Sequence, residues 1–73
     1  SFRLSNPKDA TELNEKFQAI YDSILILVRG KTVDDIYTLQ GKLTLKDEIT
    51  ARVNDLLSEG RVLETYFTEF KID

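Results

Sequence analysis

The sequence predicts an α+β domain: strand, long helix, short helix, helix, strand, with the helices packed on a small sheet. Three observations carry this prediction. Apolar residues recur every three or four positions from Ala10 to Leu27 and again from Leu39 to Leu57, the spacing of one helix face. The two ends of the chain, Phe2 to Ser5 and Arg61 to Asp73, alternate or are dense in β-branched and aromatic residues, as strands are. Cap and turn residues separate these stretches: Asn6-Pro7, Gly30, Thr32, Thr38 and Gly60.

Phe2-Arg3-Leu4-Ser5 reads as a strand with Phe2 and Leu4 toward the core and Arg3 toward solvent. One long helix from Asn6 to Gly30 follows. Asn6 can accept a bond from a first-turn N–H, and Pro7 suits the first helical position. Asp9 and Glu12 favour the positive end of the helix dipole. Ala10, Leu13, Phe17, Ile20, Ile24 and Leu27 share its inner face. Glu12 and Lys16 form an i,i+4 pair in the favourable order. Gly30 can close the helix in a left-handed C′ conformation. About 23 residues at 1.5 Å each would make a rod of about 35 Å.

Ile24 to Val28 is an unbroken apolar run, unlike a helix wet on one side. Two readings stand. The run is buried between the sheet and another helix, or it docks another subunit. A membrane span is excluded, because a span needs ~20 apolar residues.

Thr32 with Asp35 three positions on resembles a capping box, opening a short helix from Val33 to about Thr38 with Val33 and Ile36 inward. Thr38 can cap the next helix, which runs to Glu59. Leu39, Leu43, Ile49, Val53, Leu56 and Leu57 form its apolar face, and Leu45 fits that face less well. Gly41, inside its first turn, permits close packing or a bend. Gly60 would end it as a C′ glycine. In the last stretch Val62, Tyr66, Phe70 and Ile72 share one parity and are assigned to the core. Phe67 falls on the opposite face, exposed or covered by a partner. Two strands alone are not a stable sheet. Direct pairing through a βαβ-like crossover would make them parallel, and upstream residues or a second copy would complete the sheet.

The chain has 73 residues and a net charge of −3, with no Cys, His, Met or Trp. One domain or less fits this length. The missing Met suggests a piece of something longer. Lysines and arginines are scattered singly, which argues against nucleic-acid binding and against attraction to anionic lipid. Without His or Cys, nucleophile–base pairs built on them are excluded. Asp34-Asp35 and Asp47-Glu48 are adjacent pairs that point about 100° apart on a helix and do not form an EF-hand ligand set. No phosphate-binding glycine loop is present. No catalytic, metal or cofactor-binding residue is assigned. The residues alone leave two readings: a scaffold domain assembling through sheet edges and the Ile24–Val28 face, or a fragment of an enzyme whose active site lies elsewhere.

Several stretches nevertheless match a family pattern. They are Ile24-Leu25-Ile26-Leu27-Val28-Arg29-Gly30-Lys31-Thr32, then Val33-Asp34-Asp35-Ile36, then Thr38-Leu39-Gln40-Gly41-Lys42. The ending Arg61-Val62-Leu63-Glu64-Thr65-Tyr66-Phe67-Thr68-Glu69-Phe70-Lys71-Ile72 is the most specific. In this order and spacing the chain resembles the FliL family of flagellar basal-body-associated proteins, which commonly carry K-T-x-E-D-L, T-x-E-G-K and a terminal V-Y-F-T-E-F. Departures are Leu39-Gln40 in place of Pro-Glu and Asp34 in place of Glu. The resemblance implies that residues 1–73 are the C-terminal portion of one periplasmic domain. It places the first strands, a membrane helix and a cytoplasmic tail upstream.

The resemblance further implies a stomatin/prohibitin-like fold, a single-pass inner-membrane protein at the basal body, and ring-shaped homo-oligomers. It implies a non-enzymatic role, without cofactors, in supporting stator units of the MotA/MotB type so that torque and motility hold under load. A generic stomatin-like membrane scaffold is the alternative. Candidate contacts for a partner or a second copy are Phe67, Tyr66, Leu25, Ile26 and Val28.

Overall fold

A computed structural model describes residues 2–66. Phe67 lies outside these described residues, as does the rest of the expected terminal strand. The elements are β1 Phe2–Leu4, α1 Asp9–Glu15, α2 Phe17–Arg29, α3 Val33–Tyr37, α4 Leu39–Leu56 and β2 Val62–Thr65. The class is α+β, with a two-stranded sheet among the described residues.

The expected single long helix is two. Its entry is a tight lead-in: Asn6 Oδ1 accepts from Lys8 N–H at 3.0 Å, and Ala10 and Thr11 donate to carbonyls three residues back. Regular α-helix therefore begins at Asp9. Helical geometry then breaks at Lys16, whose φ of −102° and ψ of 12° fall in the bridge region. The ladder bends there rather than parting, since Lys16 N–H reaches Glu12 O and Ile20 N–H reaches Lys16 O, both at 3.0 Å. Lys16 itself is drawn sideways: its Nζ donates to Leu56 O at 2.8 Å, forty residues on. A contact at that sequence distance leaves no local trace.

Gly30 ends α2 with φ −85° and ψ 0°, and no glycine has a positive φ. The expected left-handed caps at Gly30 and Gly60 are therefore absent. An i→i+3 turn closes α2 instead, with Gly30 N–H donating to Leu27 O at 3.3 Å. The capping box is present in both directions. Asp35 N–H donates to Thr32 Oγ1 at 3.2 Å, and Thr32 N–H donates to Asp35 Oδ2 at 3.0 Å. Thr38 Oγ1 caps α4 by accepting from Gly41 N–H at 3.0 Å. Gly41 is required by close packing, because a Cβ there would collide with the Asp35 carbonyl of α3. α4 stops at Leu56, and Leu57 is already extended (φ −81°, ψ 136°), so the helix ends three residues short of the expected Glu59.

Leu45, Ile49, Val53 and Leu57 line the core at every fourth position, with Ile20 and Leu27 from α2 and Val62 from β2. Leu39 and Leu43, assigned inward, are exposed. They belong to the opening turns of α4, and the buried stripe starts only at Leu45. Val33, also assigned inward, is exposed, while Ile36 is half-buried.

β1 and β2 pair antiparallel, not parallel. Two helical legs, α1–α2 and α4, separate the strands, so the chain reverses once more than in a single crossover. The register is Phe2↔Thr65, Arg3↔Glu64, Leu4↔Val62, with a bulge that passes over Leu63. An extra residue inverts side-chain parity. Thr65 is accordingly buried and Tyr66 exposed, the reverse of the assignment made by simple alternation.

Polar groups finish the packing. Thr65 shares a 2.8 Å hydroxyl bond with Thr50 of α4. Asn54 grips the Val62 backbone from both sides, accepting its N–H at 2.8 Å and donating to its carbonyl at 2.9 Å. Lys31 ties the α2–α3 link to Glu48 of α4 at 2.6 Å.

Candidate interaction surface

α2 has more apolar residues than the core can take. At about 100° per residue, Ile20 and Leu27 point together into the core. Ile24, Phe17, Val28, Tyr21 and Leu25 follow in that order around an adjoining arc of about 100°. Burial is uneven across this arc. Ile24 and Val28 are half-buried, whereas Phe17 is 62% exposed and Leu25 49%. Phe17 was expected inside, but the bend at Lys16 opens the face it would have filled. The Phe17 and Tyr21 rings stack with centroids 6.2 Å apart and planes at 23°, one turn apart on the same side.

Two shallow concavities adjoin this stripe. One is lined by Asp22, Leu25, Ile26, Val28 and Arg29. The other runs between β1, α1 and α2 and is lined by Phe2, Leu13, Asn14, Phe17, Ile20, Tyr21 and Ile24. The structure thus brings Leu25 and Val28 onto one face with Phe17 and Tyr21. Ile26, 58% exposed, points off that arc. Tyr66 sits elsewhere, its ring 5.8 Å from the Lys46 ammonium of α4. Tyr21 was missed in the sequence. Its signal was the spacing Phe17, Tyr21, Leu25, which continues an apolar arc already filled by Ile20 and Leu27.

The surface is apolar and exposed. Clustered exposed apolar area is removed from water when a partner covers it. Among the described residues, no group of three or more His, Cys, Asp or Glu could hold a metal ion. Among them also, no helix is long and apolar enough to cross a membrane.

Beside this surface lies a carboxylate-centred clamp. Glu12 Oε2 accepts from Lys16 Nζ at 2.8 Å, Ser58 N–H at 2.7 Å and Ser58 Oγ at 2.6 Å. Its Oε1 accepts from Glu59 N–H at 3.1 Å and Gly60 N–H at 2.7 Å. The Lys16 ammonium, then the Ser58 hydroxyl, then the backbone N–H groups of Ser58 and Gly60 hold its carboxyl well below the usual carboxylate range. Asp9 Oδ2 accepts from Ser5 Oγ at 2.8 Å and from the N–H groups of Asn6 and Arg61, each at 3.2 Å. Gly60 lies so near Asp9 that a Cβ would stand 2.9 Å from Asp9 Cβ. The Asp35 carboxyl is also lowered, first by the Thr32 N–H and then by the Thr32 hydroxyl.

The family model described as "Flagellar basal body-associated protein FliL" matches residues 1–72. The chain is 38% identical over 72 residues to the flagellar protein FliL of Aquifex aeolicus (strain VF5), covering 99% of this chain and 45% of that protein. It is 31% identical over 65 residues to the flagellar protein FliL of Bacillus subtilis (strain 168), covering 89% of this chain and 46% of that protein. The chain spans less than half the length of these two relatives.

Proposed function

The chain belongs to the FliL family of flagellar basal-body-associated proteins, and from that premise we propose that it is part of a non-enzymatic accessory protein supporting the stator units of the motor. On this reading residues 1–73 are the C-terminal portion of a periplasmic domain carried by a single-pass inner-membrane protein. Copies assemble side by side around the stator, whose MotA/MotB-type proteins are the partners, and hold it so that torque persists under load. The stomatin/prohibitin-like likeness belongs to the same proposal.

The observation that supports it is the unfilled apolar arc of α2, Phe17, Tyr21, Leu25 and Val28, beside a sheet of two short strands. Such a face and such strand edges suit association with another chain. Leu25 and Val28 are the proposed contacts on α2, with Ile26 and Tyr66 at separate positions and Phe67 beyond the described residues.

The test is motor torque against a graded viscous load in cells lacking the full-length protein, and in cells complemented with it. The reading expects torque to fall at high load without the protein and to return on complementation. Torque unchanged at every load would overturn it.

A further inference from the structure

α1 is attached differently from the longer helices α2 and α4. It contains no buried residue, and Leu13, its inward apolar side chain, is half-buried. Besides Leu13 at the edge of the core, what holds α1 to the body is the clamp: five donors on Glu12 and three on Asp9, four of the eight being backbone N–H groups of the 58–61 loop. At its C-terminal end the chain bends at Lys16, whose ammonium bonds Glu12, Leu56 O and Ser58 Oγ at once. Leu13 and Asn14 of α1 form one wall of the cleft, which Phe17, Ile20, Tyr21 and Ile24 of α2 also line.

We propose that α1 is a releasable arm: the Glu12 carboxylate locks it on the 57–61 loop, Lys16 is its hinge, and release widens the apolar cleft lined by Phe2, Leu13, Phe17, Ile20, Tyr21 and Ile24. This goes beyond the stator reading and stands on the contacts of α1 alone. The charged groups around the lock are Lys8, Asp9, Glu15 and Lys16 on the arm and Glu59 on the loop. Removing the Glu12 charge leaves Lys16 facing backbone donors with no carboxylate between them, and the carboxylate tie from α1 to the loop falls to one bond, from Arg61 N–H to Asp9 Oδ2 at 3.2 Å. A glutamine offers one acceptor oxygen in place of two and turns its amide donors toward other donors, so Glu12→Gln should open the lock at neutral pH.

Hydrogen exchange of the full chain at neutral pH, read in wild type, Glu12→Gln and Ser58→Ala, tests this. In Glu12→Gln the amides of 9–16 should exchange roughly tenfold or more faster, while those of 45–53 in α4 keep their protection. Ser58→Ala removes only the hydroxyl and should give the same pattern at smaller size. If Glu12→Gln does not fold, Ser58→Ala carries the test. An apolar dye should bind more strongly to the opened variants. Unchanged protection of 9–16, loss of protection in α4 in step with α1, or unchanged dye binding would each overturn the proposal.

Discussion

The α4 side of the molecule and the α2 side are built from the same kinds of residue but use them differently. On the α4 side, apolar positions at Leu45, Ile49, Val53 and Leu57 are all covered, chiefly by α2 and β2. On the outer side of α2, Phe17, Tyr21 and Leu25 stay open, and the neighbouring α1 is fixed by carboxylate bonds, with only Leu13 at the edge of the core. Side chains on the α4 side matter for folding. Those on the outer α2 side are exposed, so changing them should cost the fold little, and on the proposed reading their effect shows in association.

The largest effect expected is at the centre of the closed side. Ile49→Ala removes a side chain that is 5% exposed and should destabilise by roughly 2–5 kcal/mol in denaturant unfolding. That is a large share of what a domain this small possesses, at roughly 0.05–0.15 kcal/mol per residue. Gly41→Ala should cost about 1–3 kcal/mol, because the new methyl must push α4 off the Asp35 carbonyl. The same unfolding experiment reads it, and a loss below about 0.3 kcal/mol would mean that the α3–α4 contact gives way easily.

The clamp predicts a pH dependence. Glu12 is held below its ordinary value of 4.5 in the folded state, so folding favours the ionised form. Its contribution is fully present above that ordinary value and is lost as pH falls toward the folded one. Wild type should therefore lose more stability below about pH 4.5 than Glu12→Gln does. Parallel pH profiles of melting temperature would show that the clamp is not coupled to folding. The smallest stability effect is on the open side. Leu25→Asp should change unfolding stability by no more than about 0.5 kcal/mol, and a much larger loss would mark Leu25 as a core residue.

Much of this was legible in the residues, and the failures have physical causes. The capping box at Thr32 and Asp35 and the Thr38 cap were local signals and appear where expected. The bend at Lys16 was not, because it is set by Leu56 and Ser58 rather than by neighbours. Leu45 rather than Leu43 faces the core because the start of α4 packs on α3, where Gly41 and Asp35 meet. The bulge at Leu63 inverted the parity of β2, and no residue there announces it. Of the surface, Leu25 and Val28 were proposed from an over-long apolar run, and the structure leaves Leu25 exposed and Val28 half-buried. Phe17 was assigned to the core, since periodicity cannot say how much of a wide arc the rest of the chain covers.

The most direct test of the open face is the mass of the full-length protein by light scattering across a concentration series, for wild type and for Tyr21→Asp/Leu25→Asp. The account expects a discrete assembly for wild type and a smaller species for the variant at an unchanged melting temperature. A folded variant that assembles as wild type does would contradict the assignment of this face to docking.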